Sequence, residues 1–215
     1  MYNIATEKDL DLVECNFTWE YPNKIKNDCG TNYLKKEDFF INGRVMVCNK
    51  LFKSSILKEN KITFPIGLRY EDIEFFYKLL PYINNSSLIP DKFYHYMQRE
   101  NSIINKQNEK TADVFIILNN IINFYKKNNL FDNYKEELEY LYIRFLLGSS
   151  FLRIVKIKDK KIKKELLNKT INELYLVFPN WKKNKLLKIK TKKNMYYKTI
   201  NKFTFKLYSF IFSFI

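Results

Sequence analysis

Glycine and proline are scarce in this 215-residue chain, 4 and 5 respectively, and that scarcity argues against two designs. A glycine-rich phosphate cradle needs several closely spaced glycines, and a many-turned β-sandwich needs frequent turn residues. Histidine occurs once, as His95, and the cysteines Cys15, Cys29 and Cys48 show no C-x-x-C spacing. No zinc site is expected from that set, and free thiols in a reducing compartment are expected rather than disulfides. No run approaches the roughly 18 uninterrupted apolar residues of a spanning helix. Met1 to Asp11 is short, polar and acidic, without the apolar stretch of an export signal. Together these lacks predict a cytoplasmic location.

Acidic residues are also missing from one end. None follows Glu173, while lysines 182, 183, 185, 188, 190, 192, 193, 198, 202 and 206 do. Of the net charge of +15, the first 173 residues carry only +5, because 28 basic residues there face 23 acidic ones. The chain therefore reads as a nearly balanced body with a basic tail. Hydrophobic content of 46% and aromatic content of 17% supply a packed core and exclude global disorder.

Local pattern predicts a mixed α/β region over residues 1–105, a helical subdomain over 106–180 and a basic amphipathic tail over 181–215. Asp11 to Tyr21 mixes β-branched and aromatic residues in partial alternation and predicts a strand, followed by a turn-rich Pro22 to Tyr33. Lys35 to Ile41 predicts a short helix, and Arg44 to Phe52 a buried strand running into a turn. Ser54 or Ser55 is placed to cap a helix reaching about Asn60, and Ile62 to Pro65 reads as extended. Glu71 to Ile83 has amphipathic helical spacing, ended or kinked by Pro81. Leu88 to Met97 alternates as a strand. From Thr111 the period becomes helical: Val114, Ile117, Leu118, Ile121, Ile122 and Tyr125, then Tyr134 to Ile154, then Ile162 to Phe178.

Four blocks stand in a particular order: DLVECNF (11–17), GRVMVCNKLFKSSIL (43–57), ITFPIGLRYEDIEFFYKLL (62–80) and IPDKFYHYMQRENSI (89–103). Together they resemble the second half of family 2 glycosyltransferases, bacterial polysaccharide-type enzymes with a GT-A fold. The matching residues are Asn49–Lys50, Phe64–Pro65–Ile66–Gly67, Glu71–Asp72, Tyr94–His95–Tyr96, Arg99 and Ser102, within about residues 9–104. The resemblance implies a partial GT-A-like α/β fold and inverting transfer from a nucleotide-sugar donor to a saccharide or lipid-linked acceptor.

Inverting transfer needs a carboxylate that takes the acceptor hydroxyl proton as the oxygen attacks the anomeric carbon. A loop-to-helix junction fixes such a carboxylate while leaving its oxygens accessible. Taken alone, the spacing of Glu71–Asp72 fits better an acidic first turn answering the helix dipole. The resemblance makes Asp72 the base and gives Glu71 a supporting contact to the acceptor. Arg69 is placed to meet a phosphate or the carboxylates, or to be a surface arginine. His95 reads as a structural histidine or one near the donor diphosphate. Arg99 and Ser102 match positions of diphosphate contact, and Asn49 and Lys50 match the family's asparagine–lysine turn.

The resemblance also implies a divalent metal, Mg or Mn, held on the donor diphosphate by a D-x-D motif. Asp9-Leu10-Asp11 spells that motif but stands where the following strand begins, so it is read as a decoy. The donor-binding half would precede Met1, and a complementary N-terminal half is the expected partner. In the tail, Ile200, Phe203, Leu207, Phe210, Ile211 and Phe214 fall on one helical face beside Lys198, Lys202 and Lys206. That pattern fits either an interfacial helix on anionic lipid at the inner face of the plasma membrane or a final packed helix. No basic-aromatic nucleic-acid reader is present. The competing reading is a non-catalytic remnant or membrane-associated interaction module.

Overall fold

The computed structural model describes residues 1–99 and 107–214. The chain divides into two compact units, Met1–Lys106 and Gln107–Ile215. The first is mixed α/β. Helix α1 (Tyr2–Glu7) leads to strand β1 (Leu12–Tyr21), and a two-residue connection at Pro22–Asn23 returns antiparallel β2 (Lys24–Asp28). Helix α2 (Lys36–Asn42) follows, its start secured by Asp38, whose carboxylate accepts the N–H groups of Leu34 and Lys35. Then come β3 (Lys50–Phe52), α3 (Ser54–Glu59), α4 (Glu71–Leu79) and β4 (Ser86–Met97).

Every other strand pairs with β1. β3 runs antiparallel to it, with Leu12 opposite Phe52 and Glu14 opposite Lys50. β4 runs parallel to it from Leu12–Ser86 to Glu20–Met97, and α3 and α4 lie in the long crossover such a pairing needs. Because β4 follows β1 along this whole length, β2 and β3 share the other edge, one at each end. The β1–β4 register shifts on either side of Asn16. Pro90, which has no N–H for the ladder, lies at this irregularity, and Asn16 Nδ2 donates to its carbonyl at 3.0 Å.

Residues Leu12 to Thr18 are all buried, including Glu14, Asn16 and Thr18. The core of the unit also takes in α2 and α4, whose Phe39, Phe40, Phe75, Phe76 and Tyr77 are each no more than 4% exposed, with Phe75 packed edge-on against Phe52 of β3 at 5.5 Å. Phe40 and Tyr77 pack at 5.2 Å between ring centres, and the Tyr77 hydroxyl donates to the Phe39 carbonyl. Each such aromatic contributes about 2–3 kcal/mol through burial, enough to fix α4 against the sheet. A 3-10 turn, Leu80–Tyr82, with Pro81 in its first positions closes that helix.

The expected strand over Arg44 to Phe52 is shorter than its apolar run suggests: only Lys50–Phe52 pairs. Arg44 and Lys50 each reach back into the unit's interior, and this commits the segment between them to a turn. The proposed serine cap at Ser54 or Ser55 is not used, since Lys53 occupies the N-cap of α3 with no side-chain bond.

The second unit is helical: α5 (Asp113–Lys127), α6 (Lys135–Arg144), α7 (Ser150–Ile154), α8 (Lys160–Val177), α9 (Lys192–Thr199) and α10 (Lys202–Ile211). A π-helical turn, Phe145–Ser149, joins α6 to α7. Gly148 within it admits the Tyr197 hydroxyl; a Cβ there would meet that oxygen at 2.8 Å. The predicted stripe on α5 from Val114 to Tyr125 is buried throughout, and Asp159 caps α8 through the N–H groups of Lys161 and Ile162.

Residues 181–200 do not form a separate tail. Trp181, Leu187, Asn194, Tyr197 and Ile200 are each at most 3% exposed. Asn184 donates to the Glu136 carbonyl at 2.8 Å, and the Tyr140 hydroxyl donates to Asn194 at 2.8 Å. Only the outer side of α10 keeps the amphipathic character expected of the whole segment. No helix among the described residues is long and apolar enough to cross a membrane.

Candidate functional site

The site grows from the buried polar side of β1. Glu14 is 2% exposed and carries two cations: the Arg44 guanidinium and the Lys50 ammonium, the latter at 3.2 Å with its side chain wholly out of solvent. Arg44 also donates to the Cys15 carbonyl at 3.0 Å and to Asp28 Oδ1 at 3.1 Å. Desolvation works against the Arg44 charge, but Glu14 and Asp28 outweigh it and its pKa rises. At Lys50 desolvation prevails over Glu14 and the pKa falls. Asn49 Nδ2 donates to the Cys15 carbonyl at 2.7 Å, and Lys50 Nζ to the Met46 carbonyl at 2.7 Å.

Asn49 and Lys50 therefore do not stand as contacts to an acceptor or diphosphate. Their side chains are spent inward, tying β3 to β1. The consequence for the site is positional: the same turn presents the neighbouring Cys48, which is exposed and free.

The second component is the start of α4. Gly67 has φ +77° and Tyr70 has φ +66°. For a tyrosine this left-handed conformation costs about 1–2 kcal/mol, so the turn is held by its surroundings. Phe64 anchors it by stacking on Phe75 at 4.0 Å, while Ile66 at the tip is 98% exposed. Glu71 is exposed and Asp72 half-buried in the first helical turn, where the dipole favours negative charge. Asp72 Oδ1 accepts the Ile73 N–H at 2.9 Å. Glu74 belongs to the core instead, paired with Lys78.

The end of β4 supplies the third component. Tyr94 and Tyr96 share one face of the strand by alternation. The Tyr94 hydroxyl and the Cys48 thiol perturb one another, and Cys48 is pushed up chiefly by desolvation, the Asp72 charge adding to it. Tyr96 is raised by burial first, then by Cys48 and Asp72. Cys48, Asp72, Tyr94 and Tyr96 thus share one electrostatic neighbourhood, although β3, α4 and β4 deliver them separately. Trp19 packs on Tyr96 at 4.8 Å and backs that wall.

His95 is not brought to Asp72. It lies on the opposite face of β4, its ring 62% exposed and paired through Nδ1 with Glu20, with Thr18 at 3.2 Å. Glu20 is lowered by that bond and by Thr18. Arg69 is half-buried in the turn before α4, and Arg99 is exposed just after β4. Ser102 lies outside the described residues.

The D-x-D spelling has a structural explanation. Asp11 is 7% exposed, and its Oδ2 accepts the N–H groups of Asn84 at 2.7 Å and Asn85 at 3.1 Å. Asp9 pairs with Lys53 at 2.7 Å. The two carboxylates serve different partners and do not fit a shared metal. No other group of three acidic, cysteine or histidine side chains among the described residues fits one.

Sequence reasoning gives Cys48 no role, and it matches Tyr94 and Tyr96 to the family's tyrosine-rich strand without making them site residues. The alternation of β4 contains the signal for the tyrosines, since it sets both on the face opposite His95. Nothing local marks Cys48, whose place depends on the Glu14 network. The chain matches no protein-family model and no curated protein.

Proposed function

We propose that this chain is the acceptor-side part of an inverting, family-2-like glycosyltransferase of GT-A type, acting in cell-surface polysaccharide synthesis on the cytoplasmic side of the membrane. The observation that carries the reading is the neighbourhood of Asp72: a half-buried carboxylate in a helix's first turn, within electrostatic reach of Tyr96 and Cys48. The order of the four sequence blocks supports it independently.

In this reading the acceptor hydroxyl lies against Asp72. Its proton passes to the Asp72 carboxylate as the oxygen forms a bond to the anomeric carbon. The bond from that carbon to the donor phosphate breaks, and a nucleoside diphosphate leaves. Glu71, exposed next to Asp72, hydrogen-bonds a second acceptor hydroxyl. Phe64 and Ile66 offer an apolar lip for the sugar ring, and Arg69, three residues before Asp72, and Arg99, three residues after Tyr96, are the cations assigned to the leaving diphosphate. A separate donor-side half binds the nucleotide and supplies the metal ligands of the complete enzyme.

The test is transfer of label from a panel of nucleotide sugars to free or lipid-linked saccharides, with this chain and a donor-side half co-expressed. Transfer that requires both polypeptides is the expected result. Absence of transfer with every donor, or full activity without this chain, overturns the proposal.

A further inference from the structure

Helix α10 is built with two apolar sides. One anchors it: Phe205 is 4% exposed and packs on Phe151 at 4.9 Å, with Phe212 of the following turn on Phe151 at 6.0 Å. Half a helical turn away lie Phe203, Leu207, Phe210, Ile211 and Phe214, between 43% and 77% exposed. At about 100° per residue these five form one stripe. The helix does not depend on a partner to form. Asn201 caps it through the N–H groups of Phe203 and Thr204, and Thr204 returns a bond to the Asn201 N–H. The stripe is thus a rigid apolar face on a folded scaffold.

Its own segment of the chain carries charge of one sign. Lys202 and Lys206 flank it and are exposed, as is Lys198, and no acidic residue occurs after Glu173. We infer that the outer face of α10 is a docking surface for an anionic lipid bilayer. It lies in the plane of the headgroups, with the five apolar side chains inserted and the lysines on lipid phosphates. Charge complementarity selects this occupant. A second copy would bring two lysine-bearing helix faces together, which repel. One ten-residue helix also falls well short of the roughly 20–30 residues a side of a stable interface. A nucleic acid would satisfy the lysines and leave the apolar stripe in water.

The structure also sharpens the face expected from sequence. Ile200 is fully buried and takes no part, and Phe205 is the anchor rather than an insertion residue. Deleting 181–215 would remove Trp181, Leu187 and Tyr197 from the core, so surface substitutions are the cleaner probe.

The experiment is co-sedimentation of the full chain with phosphatidylcholine vesicles, plain or containing about one third phosphatidylglycerol. Binding is expected to the anionic vesicles and to weaken with salt. Phe203→Ser/Phe210→Ser/Phe214→Ser keeps the circular dichroism spectrum and lowers affinity about tenfold per phenylalanine. Lys202→Ala/Lys206→Ala lowers it about fivefold per lysine. Four results overturn the inference: no vesicle binding, equal binding by the folded triple-Ser variant, a dimer abolished by that variant, or nucleic-acid binding unaffected by it in the absence of vesicle binding.

Discussion

Glu14→Gln tests the framework of the site more severely than any surface change. Glu14 is 2% exposed and answers two cations, Lys50 with no side-chain exposure and Arg44 with 12%. Neutralising it leaves Arg44 with Asp28 but leaves the Lys50 ammonium without a carboxylate, facing the Met46 carbonyl, Asn49 Oδ1 and the Phe76 ring. Removing one member of a buried pair costs about 3–5 kcal/mol, a large part of the ~5–15 kcal/mol a domain has. Because glutamine keeps the shape and can still accept a bond, the lower end, about 3 kcal/mol, is expected. Adding Lys50→Met removes the stranded charge and restores at least about half of that loss, since an apolar replacement for a buried pair is often neutral. Fluorotryptophan labelling reads the two units separately, because Trp19 lies in the first and Trp181 in the second. Denaturant titration should therefore move the Trp19 resonance and leave that of Trp181 in place. A Glu14→Gln cost below about 0.5 kcal/mol, typical of surface substitutions, or no recovery with Lys50→Met, would refute the argument.

Alkali should destabilise both units. Burial, aided by Glu14 at Tyr33 and by Tyr140 at Tyr197, holds these two phenols up at about 12. The unfolded chain ionises near 10, so between pH 10 and 12 it binds fewer protons than the folded chain and stability falls as pH rises. The loss reaches about 2–3 kcal/mol for Tyr197 and less for the half-buried Tyr33, and phenolate absorbance followed with unfolding checks it. Asp11→Ala, which frees the N–H groups of Asn84 and Asn85, should cost about 2–3 kcal/mol. The same denaturant titration measures it through Trp19, and a loss under about 0.5 kcal/mol would contradict the structural role assigned to that carboxylate.

The strand at Leu12, the helix at Glu71 and the long helices after Thr111 could be read locally, because each carries its period within its own residues. The covering of the polar side of β1 could not. Glu14, Asn16 and Thr18 look like a solvated face until Arg44, Gly30, Pro90 and His95, distant in sequence, close over them. That remote closure is also why Arg44 to Asn49 fails as a strand and why Asn49 and Lys50, legible as a motif, turn inward. Asp72 and Glu71 stand at the predicted helix start, whereas Cys48 joins them only through the tertiary fold. In the tail the helical face was visible, but packing decided that Phe205 and Ile200 would be core.

The central claim rests on Asp72, and the kinetics of Asp72→Asn in the reconstituted transfer reaction test it most directly. The substitution removes the proton acceptor with little change in shape, and its effect on the first turn of α4 is about 0.3–1 kcal/mol. A base assignment predicts a fall in kcat of about 10²–10⁴-fold, with the acceptor KM within a few-fold and Glu71→Gln far milder. Retention of kcat within about tenfold by Asp72→Asn, or a larger loss in Glu71→Gln, would contradict it.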